Sequence, residues 1–262
     1  MRLGRYAALA QALYRGDAAG AAIFTVPYDG LLGPGRSSYL LATDDARRAH
    51  TVVIRGTGSL QDLGIGFDIL PMPDRALGIE LHSGFRALAL AVRRDLLPRL
   101  KDGYSIGVGG HSAGGAAAQI LALYLANVDG RRVAEVYTFG QPKFGEAKSA
   151  MGALPSGRNV RVVNCDDAIP MLPNPAVTGS VIGGYRNAGP TVFLSEDGRV
   201  WFSRSDVELD NLEVLGRNIV REMLVGKPFR AHLIESYVER LSKAREDPAV
   251  TEYGADTRRI CR

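Results

Sequence analysis

The chain has 262 residues, 46% of them hydrophobic, 23% charged and 7% aromatic, which excludes global disorder and places it among ordinary globular proteins. Its 32 basic and 28 acidic residues leave a net charge of +4, and because the two signs interleave along the chain they argue for no nucleic-acid partner. Size scaling gives about 11,000 Å² of folded surface from about 41,000 Å² extended, enough burial for one large core.

In chain order, Met1 to Leu13 comes first, with Arg2 and Arg5 followed by alanine and leucine. Tyr6, Leu9, Leu13 and Tyr14 fall at helical spacing and Gln11 interrupts the apolar stretch, so this segment is read as an amphipathic helix, not a signal peptide. Thr51 to Ile54, Tyr104 to Val108, Val133 to Phe139 and Val160 to Asn164 read as strands. Between them Gly84 to Leu100, Ala113 to Val128 and Gly145 to Met151 read as helices, the second apolar nearly all round and therefore central. Such alternation implies crossover connections and a mostly parallel sheet covered by helices on both faces, an α/β fold. Thr191 to Phe202 alternates on either side of Asp197-Gly198 and reads as a β-hairpin, and Phe229 to Ala244 as a last helix. No linker divides the chain, so residues 1–244 are expected to form one domain, with 245–262 a loosely held tail. No apolar run approaches the length of a membrane-spanning helix. The two cysteines, Cys165 and Cys261, lie far apart in sequence and imply no disulfide framework. The compartment stays open: a soluble chain, cytoplasmic or exported without a cleaved leader.

The Gly-rich segment Gly107-Val-Gly-Gly-His-Ser-Ala-Gly-Gly115 fails as a phosphate loop, because Ser112 occupies a required glycine position and the Gly226-Lys227 pair is followed by Pro228. It does match G-x-S-x-G over Gly110, His111, Ser112, Ala113 and Gly114. Between a predicted strand and a buried helix, that pattern lifts a serine above the sheet on a strained turn. A serine hydroxyl is a weak nucleophile and needs a base, itself oriented by an acid. Of four histidines, His50 and His82 precede the serine and His111 adjoins it in a turn that points neighbouring side chains apart. In this fold the order is serine, acid, histidine, which leaves His232 as the base. Asp166 and Asp167 terminate a strand at the end of the sheet where active sites form, and either fits the acid.

In order along the chain, Val52-Val-Ile-Arg-Gly-Thr57, Leu81-His-Ser-Gly-Phe85, Gly110-His-Ser-Ala-Gly114, Thr138-Phe-Gly-Gln-Pro-Lys-Phe-Gly145, Val162-Val-Asn-Cys-Asp-Asp-Ala-Ile-Pro170 and Ala231-His-Leu-Ile-Glu-Ser-Tyr237 resemble the class 3 lipases of the α/β-hydrolase superfamily. The resemblance runs from about Tyr6 to Leu241. It implies the α/β-hydrolase fold with a short lid, and an ester hydrolase with Ser112 as nucleophile and His232 as base. Counting back from Pro170, Asp167 is the acid. The oxyanion hole would use the backbone N–H groups of Thr57 and Ala113. Tyr237 and Phe85 are read as core residues. No metal or organic cofactor is called for. The expected partner is a lipid or ester substrate, with transient contact at a lipid–water interface; the oligomeric state stays open.

The lid segment Gly58 to Leu70 departs from the family. Leu63 stands where tryptophan is common, and Gly64 and Gly66 each weaken a helix by about 1 kcal/mol relative to alanine. Its apolar residues Leu60, Leu63, Ile65 and Phe67, with Ile69 and Leu70, suit an acyl chain. Lys143 stands where the family often has arginine. An acylglycerol lipase is the leading expectation. A phospholipase A or a soluble short-chain or aromatic-acid esterase is the alternative, and a catalytically inactive lipid-binding module on the same fold is the rival from another class.

Overall fold

Uninterrupted apolar runs such as Val52-Val-Ile54 need both faces of a strand covered, since successive side chains point to opposite sides. The computed structural model, which describes residues 2–17, 20–30, 33–56, 70–145, 154, 158–174, 185–203, 215–220 and 229–244, supplies that cover. Its strands are β1 (Ala22–Gly30), β2 (Gly33–Asp44), β3 (Ala49–Ile54), β4 (Pro71–Asp74), β5 (Ile79–His82), β6 (Ser105–His111), β7 (Val133–Phe139), β8 (Asn159–Asn164), β9 (Thr191–Leu194) and β10 (Val200–Ser203). Its helices include α1 (Arg2–Arg15), α2 (Ser83–Leu96), α3 (Ala113–Asn127) and α4 (Ile234–Lys243).

Eight strands form one sheet in the order β1-β2-β3-β6-β7-β8-β9-β10, while β4 and β5 form a separate hairpin. The five strands from β3 to β9 in that order run parallel. Antiparallel β1, β2 and β10 close the two sides. On one face Val52, Ile54 and Val108 pack with α2 and α3; on the other Val53, Phe139 and Val162 pack with α1 and α4. Helix α3 is buried almost along its whole length. Seating α1 needs a bare patch on β6: a Cβ at Gly109 would stand 2.6 Å from Tyr6 Cδ1.

Several elements differ from the sequence expectations. Strands β1 and β2 precede the first expected strand, and β4 and β5 fill the stretch before α2. Helix α2 tightens to a 3-10 turn at Leu97–Arg99, because Pro98 lacks the N–H that would continue the ladder. Gly145 begins no described helix; it bridges Leu81 and Arg186 in extended pairing, and 146–151 lie outside the described residues. The expected helix over Phe229 to Ala244 is a 3-10 turn at Arg230–His232, an extended Leu233, then α4. Cys165 is disulfide-bonded, contrary to the expectation from sequence separation. The hairpin about Asp197-Gly198 is present as β9 and β10, closed by Ser195 N–H donating to the Arg199 carbonyl at 3.0 Å. Thr57, the lid residues Leu60, Leu63, Ile65, Phe67 and Ile69, and the tail 245–262 lie outside the described residues. Among the described residues no helix is long and apolar enough to cross a membrane.

Candidate active site

The strand-to-helix turn between β6 and α3 puts Ser112 at φ 58° and ψ −134°, a conformation that costs a non-glycine residue of the order of 1–3 kcal/mol. The residues two before and two after it must be glycine. At Gly110 an added Cβ would collide with the carbonyl of Gly114, and at Gly114 with the backbone of Ile54 and Arg55. The turn is pinned from the next strand, where the Phe139 carbonyl accepts from Ser112 N–H at 2.9 Å. Ala113 follows as the first residue of α3, where a backbone N–H has no intrahelical acceptor and can be offered to an anion.

Ser112, Asp167 and His232, far apart in sequence, meet at the C-terminal ends of the parallel strands. Ser112 Oγ lies 2.8 Å from His232 Nε2, and His232 Nδ1 lies 2.8 Å from Asp167 Oδ2. All three are 2% exposed. A carboxylate only accepts, so Nδ1 carries the hydrogen and Nε2 offers its lone pair to the serine hydroxyl. That is the arrangement in which a serine proton can move to an imidazole as the oxygen attacks a carbonyl carbon.

Each partner is held in turn. Asp167 Oδ1 accepts from the backbone N–H of Ile169 at 2.9 Å, and Oδ2 also accepts from the Tyr237 hydroxyl at 2.6 Å. The Tyr237 oxygen accepts from Asn164 N–H at 3.2 Å, and the Asn164 amide donates to the Ala231 carbonyl at 2.7 Å, fixing the turn that carries His232. Burial, reinforced by the Asp167 charge, raises the Tyr237 pKa well above its ordinary value, so the phenol remains a donor. Tyr237 is thus a core residue that also grips the acid, a contact the sequence reading missed; its place shortly after His232 was the available signal. Asp166 turns away and pairs with Arg240 through both oxygens, at 2.5 and 2.8 Å.

Two further side chains escape a reading based on the serine motif alone. His111 ring Nε2 lies 2.7 Å from the His232 carbonyl, and its Nδ1 lies 2.9 Å from the hydroxyl of Tyr14 on α1. His111 points away from the serine yet packs beside the base, with ring centroids 4.9 Å apart. Burial first, and the neighbouring His232 second, push its pKa well below the ordinary value. Phe85 is buried, stacked on His82 at 3.9 Å, and Lys143 is buried next in sequence to Phe144, whose carbonyl accepts from His82 N–H at 2.8 Å.

Residues 51–177 match the family described as Lipase (class 3), the family the motifs resemble. A secreted mono- and diacylglycerol lipase 1 of Fusarium solani is 30% identical over 166 residues, covering 59% of this chain and 46% of that protein. Lipase A of Sodiomyces alcalophilus is 31% identical over 189 residues, covering 58% of this chain and 44% of that protein. The chain therefore spans less than half the length of both relatives. A solved fungal lipase superposes with a TM-score of 0.64 at 23% identity, covering 88% of this chain and 93% of that one. The fold is that of the α/β-hydrolases.

Proposed function

We propose that this chain is a serine carboxylic-ester hydrolase acting on acylglycerols through an acyl-enzyme on Ser112. The hydrogen-bonded line from Ser112 to His232 to Asp167 carries the reading, and the relatives named as lipases supply the substrate class. In the first step His232 Nε2 takes the Ser112 proton as Oγ bonds to the ester carbonyl carbon. The carbonyl oxygen becomes an oxyanion, for which the N–H groups of Ala113 and Thr57 are the proposed donors. Collapse breaks the bond to the alcohol, which leaves with the proton from His232. Water then repeats the sequence on the acyl-serine, releasing the fatty acid and restoring Ser112. Asp167 keeps the imidazole in the required tautomer and stabilises its charged form.

The hydrogen-bonded line from Ser112 through His232 to Asp167 argues for turnover and against a binding module. Burial of Ser112 supports a covered site that opens for substrate. The apolar segment Leu60 to Leu70 is the proposed cover, and because Gly64 and Gly66 weaken a helix the expected activation at a lipid–water interface is modest. Relatives named as secreted support export, with the disulfide at Cys165 suited to an oxidising compartment.

The experiment is labelling with a serine-directed phosphonate, mapped by mass spectrometry, followed by a panel of mono-, di- and triacylglycerols, phospholipid and soluble short-chain esters. Adduct on Ser112 with turnover greatest on acylglycerols is the expected result. No adduct sinks the hydrolase reading. Turnover confined to phospholipid or to soluble esters moves the chain to those alternatives.

A further inference from the structure

Tyr14 and His111 take no part in the proton transfers above, yet they bridge the two sides of the site. Hydrogen-bond valence fixes the direction of every link. The His232 carbonyl can only accept, so His111 Nε2 carries the hydrogen across their 2.7 Å contact. In a neutral ring Nδ1 is then a lone pair, and it accepts the Tyr14 O–H at 2.9 Å. The Tyr14 oxygen in turn accepts the backbone N–H of Gly56 at 3.1 Å. The chain of bonds thus runs from the end of β3, one residue before Thr57, through α1 and the elbow to the backbone of the base.

The packing leaves this junction no slack. A Cβ at Gly56 would stand 2.7 Å from the Tyr14 hydroxyl, 2.8 Å from the His111 carbonyl and 2.8 Å from Ser112 Cβ. The Arg55 guanidinium lies over the Tyr14 ring, 4.8 Å from its centroid, and the ring meets His111 edge-on at 5.5 Å. Helix α1 is itself keyed to β6 through Tyr6, so Tyr14 is delivered from a fixed support.

We propose that Tyr14 and His111 are positioning residues that lock the oxyanion strand end, through Gly56, to the His232 backbone, so that oxyanion donor and base keep one geometry around Ser112. The proposal rests on the ester-hydrolase reading for its kinetic consequence, but the relay itself does not. A small misplacement of such groups costs up to about a hundredfold in rate. Removing only the hydroxyl, Tyr14→Phe should lower kcat on a soluble short-chain ester by ~10- to 100-fold while KM stays within about twofold. His111→Gln retains an amide donor for the His232 carbonyl and should keep more activity than His111→Phe. If the bonds form one relay, the losses in Tyr14→Phe and His111→Gln are sub-additive in the double variant.

The test combines those kinetics with imidazole nitrogen NMR on the full chain at neutral pH. The expected spectrum shows His111 protonated at Nε2 with an accepting Nδ1 whose resonance moves in Tyr14→Phe. A His111 protonated at Nδ1, or a resonance indifferent to Tyr14→Phe, overturns the relay whether or not the protein hydrolyses esters. An active wild type with kcat unchanged in Tyr14→Phe, or with fully additive losses, overturns the positioning role. A wild type that turns over no ester and takes no phosphonate removes the hydrolase reading and the kinetic role with it, while the spectrum still decides the relay.

Discussion

The Tyr237 hydroxyl donates to Asp167 Oδ2 at 2.6 Å, the same carboxylate oxygen that faces His232 Nδ1 at 2.8 Å. One phenol thereby steadies the acid, and through its bond from Asn164 N–H it also ties that acid to the end of β8. Tyr237→Phe leaves a buried N–H without its acceptor and should lower unfolding free energy by about 1–3 kcal/mol. Because Ile169 N–H still holds Oδ1, kcat should fall by no more than ~tenfold. Denaturant unfolding and steady-state kinetics on the same preparation check both; unchanged stability would contradict the bonding described.

Asp166 and Asp167 adjoin in sequence but face opposite ways. Asp167→Asn should cut kcat by about four orders of magnitude, since an amide can present the wrong tautomer to the imidazole. Asp166→Asn should leave kcat within about threefold and lower stability by roughly 1–3 kcal/mol through the weakened Arg240 pair. Reversal of the two kinetic effects would move the acid by one residue.

Ser112 sits at a positive φ that glycine adopts freely. Ser112→Ala and Ser112→Gly should both reduce hydrolysis to about a thousandth or less, the level that binding and an oxyanion hole alone sustain. Ser112→Gly should be the more stable of the two by about 1 kcal/mol, because only alanine retains the strain. Thermal unfolding of the pair decides it, and equal stabilities would mean the elbow stores no strain.

Stability should fall as the solution is acidified below the ordinary histidine value of 6.5. Burial lowers the pKa of His82 to about 3 and puts that of His111 well below 6.5. Folded, both rings are neutral in this range; unfolded, both take up a proton. The unfolded state therefore binds more protons, and unfolding free energy rises with pH by about 1 kcal/mol per unit for each ring over that window. Equilibrium unfolding between pH 7.5 and 5 measures the slope, to which His50, its pKa also lowered by burial, adds, and His82→Gln should remove its own ring's share. A slope indifferent to His82→Gln would show that carboxylates elsewhere dominate.

Much was legible in sequence because local chemistry dictates it. The period of the apolar runs demands a sheet buried on both faces, and only glycine at positions 110 and 114 lets a strand, a serine and a helix crowd into one turn. The strand end alone left Asp166 and Asp167 both open, and only the resemblance to the class 3 lipases, counted back from Pro170, singled out Asp167. What sequence could not supply is which distant side chains close around that turn. Tyr14 and His111 carry no local sign of these contacts and Tyr237 only its place shortly after His232: the hydroxyl or ring of each finds its partner 97, 121 or 70 positions away. Those contacts exist only once α1 and α4 dock on the same face of the sheet as packed neighbours. Hydrophobic burial drives that docking with little directionality, and the hydrogen bonds select the final geometry.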